Sequence, residues 1–225
     1  LYFTARYFTA RYFTVLCLVL FAIVVTGTRL EARAPDRVLA SLIADDPVAF
    51  AAIARYPAPL RRAVLEASVH PEAVVRLADL QRDGTAKFED LLQGLKARQR
   101  QGLRVLAAFP ELVAELAAGP PPARLDRILG RYPVQVRAAA NSALRHRPLL
   151  VRLERLNRRA ISRFDRLLSA YPPRVRQSLR HLADAPEAVW LLSENMALTV
   201  LLGDAYHGDS EAVERHLAAV SAMGS

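Results

Sequence analysis

With 225 residues, 52% hydrophobic and 24% charged, the chain is long enough to bury a sizeable core and too apolar to belong to the disordered class. Its formal charge of +9 comes almost wholly from arginine, lysine being confined to Lys87 and Lys96. Such a bias can come from a GC-rich genome, and where it is functional it suits anionic partners. The single cysteine, Cys17, excludes an intrachain disulfide and a cysteine-built metal site.

Residues 2–6, Tyr-Phe-Thr-Ala-Arg, are repeated at 7–11 and begin again at Tyr12, a short tandem duplication to be kept out of the fold. From 12 to 28 no residue is charged, and Arg6 and Arg11 precede this run. Basic, then apolar, then polar is the layout of an export signal, and the run sits near the lower length limit of about 17 residues for crossing a bilayer. Ala32-Arg33-Ala34 has the small-x-small form of a cleavage site, but Pro35 follows directly and hinders cleavage. Residues 1–34 are therefore expected to be an uncleaved single-pass anchor in a bacterial inner membrane, with the rest periplasmic. Secretion after cleavage is the alternative. Arg29, Arg33 and Arg37 follow the run and leave the charge rule for orientation nearly balanced.

Beyond residue 34 the pattern is helical throughout, and an all-α fold is expected. Asp36 caps a helix carrying Val38, Leu39, Leu42 and Ile43, and Asp46-Pro47 opens the next, which ends at Tyr56. Pro57 starts a helix through Leu60 and Val64, and His70-Pro71 ends it. Residues 81–86, with Asp83-Gly84-Thr85, read as a loop, after which Thr85 caps a long helix to Phe109 carrying Phe88, Leu91, Leu92 and Leu95 on one face. Gly119-Pro120-Pro121-Pro122 is the strongest break. It divides a first helical subdomain, 35–118, from a second, 124–225, through a stiff connector at 119–123. The second holds a short helix at 125–129, one from Pro133 to Leu144, and the longest at 149–170. An apolar stretch at 196–202 follows, then a turn between Gly203 and Gly208 and a last helix capped by Ser210.

Four corners share one pattern: Tyr56-Pro57, Phe109-Pro110, Tyr132-Pro133 and Tyr171-Pro172. Proline disfavours α conformation in the residue before it and is tolerated at the first helical position, so each pair ends one helix and begins another. The aromatic is expected to pack in the elbow, between an apolar residue three before it and one four after it, such as Leu168 and Val175 around Tyr171. Three of these modules continue to a second proline, Pro71, Pro148 or Pro186. Val136-Arg137, followed by Ala140 and Leu144, resembles the second helix of a HEAT-type repeat. The corners are unevenly spaced, whereas HEAT and armadillo units recur at about 40–47 residues. The resemblance to HEAT/armadillo-like repeat proteins implies a stacked helical array binding a partner on one face.

The sharpest surface feature lies on the 149–170 helix. Arg152, Arg155, Arg159, Arg163 and Arg166 are spaced at helical intervals and form one stripe. Leu149, Leu153, Leu156, Ala160, Phe164 and Leu167 form a second, apolar stripe to its side. A line of guanidinium groups suits anionic lipid, an acidic protein or another polyanion. Lys96, Arg98, Arg100 and Arg104 make a less regular basic cluster. Nucleic acid is disfavoured, because the aromatics sit at helix corners rather than among the basic residues. His70 and His146, near helix ends, are expected to be structural, and Asp204, His207 and Asp209 to be loop residues rather than a metal site. No zinc-protease, phosphate-loop or serine-hydrolase motif occurs, and the sequence identifies no cofactor, metal or small-molecule site. The expected function is accordingly a non-enzymatic, membrane-anchored or exported scaffold for a protein partner or the envelope membrane surface. The alternatives are a basic polyanion binder and an enzyme without a recognisable motif.

Overall fold

The computed structural model describes residues 46–223, so the N-terminal anchor segment and the helix expected after Asp36 lie outside the described residues. Twelve α-helices and no strand occur among the described residues. In chain order they are α1 (Pro47–Ala54), α2 (Ala58–Ser68), α3 (Pro71–Leu92), α4 (Ala97–Ala107), α5 (Pro110–Ala117) and α6 (Pro122–Leu129). They continue as α7 (Val134–Leu144), α8 (Arg147–Ser169), α9 (Pro173–Ala183), α10 (Pro186–Glu194), α11 (Met196–Gly208) and α12 (Ser210–Met223).

Each aromatic corner closes with the same bond. The amides of Tyr56, Phe109, Tyr132 and Tyr171 donate to Ile53, Leu106, Leu129 and Leu168, three residues back, at 2.9–3.1 Å. Pro110 opens α5 at the first helical position, as expected. Pro57, Pro133 and Pro172 instead sit one residue earlier, as the caps of α2, α7 and α9, with extended ψ of 148° to 159°. The fixed φ of proline fits that extended cap as well as it fits a first turn. The aromatics are half-buried against the core, and Phe109 meets Tyr132 edge-on with ring centroids 5.6 Å apart.

Three local expectations are corrected. The 81–86 segment is helical, because α3 runs unbroken through Gly84 with Leu77, Ala78 and Leu92 buried on one face; packing of that face outweighs the local turn composition. The stop comes at Gly94, whose φ of +74° is the left-handed conformation that glycine adopts without cost. Gly203 is likewise inside a helix, not at a turn. A Cβ there would lie 2.2 Å from the Ser68 carbonyl oxygen, so the missing side chain permits α11 to cross close over α2. Asp204 and His207 are therefore helical, and Asp209 rather than Ser210 caps α12, accepting from the Ala212 amide at 2.9 Å.

Comparing the helices brings out a longer repeat that the corners conceal. Tyr56, Phe88 and Pro110 recur 76 residues later as Tyr132, Phe164 and Pro186. Residues 55–116 align with 131–192 without a gap, and 26 of 62 positions are identical, too many for shared helical composition alone. The order α1 to α5 thus returns as α6 to α10, with α11 and α12 added.

The two copies do not stack side by side. α2 packs on α9 as α7 packs on α4, α3 packs on α10 as α8 packs on α5, and α3 packs on α8. Reciprocal pairing of this kind is what a two-fold axis produces, here within one chain and between α3 and α8. Contacts between distant helices distinguish this array from a solenoid, in which each repeat touches its neighbours.

Two cores result. One joins Phe50, Val64 and Leu77 to Leu168, Leu179, Val189 and Leu202; the other joins Leu92, Leu106 and Val113 to Ile128, Ala140 and Leu153. Both draw on residues from the two sides of the 119–123 connector.

Candidate functional site

Helix α8 begins after His146 and carries Pro148 in its first turn. Leu150, Leu153, Leu167 and Leu168 are buried at its two ends. The apolar stripe expected between them is covered only in part: Leu156 and Phe164 are half-buried and Ala160 is exposed. The arginine stripe lies where the spacing placed it. Arg152, Arg155, Arg159, Arg163 and Arg166 are all exposed on one helix.

Of these five, Arg163 donates to the Asp83 carboxylate on α3. The other four make no ion pair among the described residues. Glu154, the one acid in the first half of α8, is taken by Arg158. Asp83 also accepts from Lys87 at 2.6 Å. That hydrogen bond, joined by the one from Arg163, holds the Asp83 carboxyl below its ordinary value.

The uncovered middle of α8 faces its counterpart α3 across a mostly apolar groove of about 550 Å³. The groove lies on the two-fold axis, for its walls are equivalent pairs: Leu77 with Leu153, Leu80 with Leu156, and Phe88 with Phe164. Gln81 and Asn157 form a further pair at matched positions. Gln81 donates through Nε2 to the Ala183 carbonyl at 3.4 Å, while its Oε1 and the Nδ2 of Asn157 are buried without a hydrogen-bond partner. Lys87, Arg159 and Arg163 line the same groove against one acid, Asp83. Ile161 and Trp190, 51% and 41% exposed, line it as well.

Sequence reasoning placed the arginines but missed the groove. The signal that finds it is the 76-residue register, which sets Phe88 against Phe164 and Gln81 against Asn157.

The histidines near helix ends prove to be helix starts, and each reaches into the other copy. His70 caps α3 without a side-chain capping bond, and its ring meets Tyr171 edge-on at 5.5 Å. His146 precedes α8 and pairs with Gln99 at 2.8 Å. Among the described residues no three metal-ligating side chains gather. Comparison with protein families, with curated proteins and with solved structures returned no match.

Proposed function

We propose that this chain is a non-enzymatic helical scaffold held at a bacterial envelope membrane, and that the arginine face of α8 docks it on the anionic lipid surface. The observation that carries this reading is the charge of equivalent positions. Arg155, Arg159 and Arg166 stand where the first copy has Asp79, Asp83 and Asp90. The two helices share their apolar positions, so the fold does not require this line of arginines. Each basic group near an anionic bilayer contributes about 1 kcal/mol, so a handful aligned on one helix suffices for reversible attachment. The uncharged run at 12–28 supports an anchor.

Flotation of residues 35–225, without the apolar run, with vesicles containing phosphatidylglycerol tests the docking. Arg152→Glu, Arg155→Glu and Arg166→Glu together are expected to abolish it at physiological salt, while neutral vesicles bind neither form. Unchanged flotation of the triple variant overturns the docking. Recovery of a C-terminally tagged chain in the soluble cytoplasm overturns the anchor.

A further inference from the structure

We infer that the groove on the two-fold axis is a binding site for a single-chain amphiphile with an anionic head. This rests on reading α8 as an anion-binding element and names what that element takes at its middle.

Three observations converge. The first is shape and lining: a volume of about 550 Å³ lies within the roughly 300–1,000 Å³ of small-molecule sites, and the leucine and phenylalanine pairs make walls suited to an alkyl chain. The second is polar accounting. Gln81 Oε1 and Asn157 Nδ2 are a buried acceptor and a buried donor without partners, and each is costly to leave so unless something bonds to it. A carbonyl oxygen on the bound molecule would take the Asn157 donor and a hydroxyl would satisfy Gln81, which an anionic lysophospholipid can supply beside its head and a fatty acid cannot. The third is charge. Lys87, Arg159 and Arg163 outnumber Asp83, and Arg159 makes no ion pair among the described residues. The fold also avoids filling the space. A Cβ on Gly84 would meet nothing within 4 Å, and the equivalent residue is only Ala160.

An alkyl chain therefore lies between α3 and α8, with its anionic head at Arg159 and Arg163. Fatty acids and anionic lysophospholipids share the alkyl chain and the anionic head.

Trp190 is the only tryptophan in the chain and lines the groove, so its fluorescence reports this site alone. The full-length protein is titrated below the micellar range with oleate, with lysophosphatidylglycerol, and with the zwitterionic lysophosphatidylcholine. A saturable blue shift with at least one anionic ligand is expected, about tenfold weaker for the zwitterionic one. Preference between the first two identifies the source. Gly84→Leu and, separately, Ala160→Phe fill the groove and are expected to abolish the shift, with circular dichroism reporting that the helices persist. Arg159→Gln with Arg163→Gln is expected to weaken binding about tenfold.

The proposal is overturned by absence of a saturable shift with both anionic ligands. It is also overturned if a filled, folded variant responds as the parent does. Vesicles are not used, so failed flotation with a positive titration removes the docking and keeps the site, and the opposite pair of results does the reverse.

Discussion

Helices α3 and α8 are two solutions to one structural problem. Both open just after a histidine, run for 22 and 23 residues, and bury equivalent leucines, Leu77 at 2% and Leu153 at 1% exposure. Their outer faces diverge. Asp79, Asp83 and Asp90 on α3 give a mixed surface, whereas Arg155, Arg159 and Arg166 leave α8 almost wholly basic. The difference separates what the fold needs from what it merely allows. The apolar register is kept in both copies because each helix lies against the other. Charge is free to diverge because it faces water, and there it has been concentrated on one copy.

Truncating the shared part should cost most. Leu77→Ala and Leu153→Ala are each expected to lose about 2–5 kcal/mol of stability, by similar amounts, in urea unfolding. A large loss from only one of them would break the equivalence of the two helices. The next effect is local. Gly84→Ala should gain about 1 kcal/mol and Ala160→Gly should lose about as much, because both sites are helical and nothing obstructs a Cβ at Gly84. Exchanging the divergent part should matter least at neutral pH. Arg155→Asp and Arg166→Asp are each expected to change stability by no more than about 0.5 kcal/mol in the same assay.

Smaller still is the acid response of the contact that joins α3 to α8. The Asp83 carboxyl is depressed when folded, so its contribution is present above the ordinary aspartate value of about 3.9 and is lost as pH falls through the folded one. Asp83→Asn should remove that part of the acid shift in thermal midpoint.

The helices, their corners and the arginine stripe were legible because each is a local pattern: proline after an aromatic, or guanidinium groups at intervals of three and four. The two-fold arrangement was not, for a specific reason. The aromatic-proline corner occurs at two unrelated places in each copy, and two of its four instances have lost their counterpart. Tyr171 corresponds to Leu95, and Phe109 to Ala185. Aligning corners therefore gave uneven spacings, while aligning Phe88 with Phe164 gives one register. Gly84 misled in a similar way, since Asp-Gly-Thr has turn composition and the packing of α3 on α8 and α10 holds it helical. The groove depends on both and was hidden with them.

The exchange of helices between copies also bears on how the chain is made. The core around Leu106 and Ile128 is assembled from one continuous stretch, Phe88 to Leu153, whereas the core around Phe50 and Leu202 needs both flanks of that stretch. During synthesis the inner core has all its parts once Leu153 has emerged. The outer core waits for α9 to α12. Although α1 and α2 leave the ribosome first among these helices, they are among the last to be enclosed, and until then their apolar faces can close only on one another and on the first half of α3.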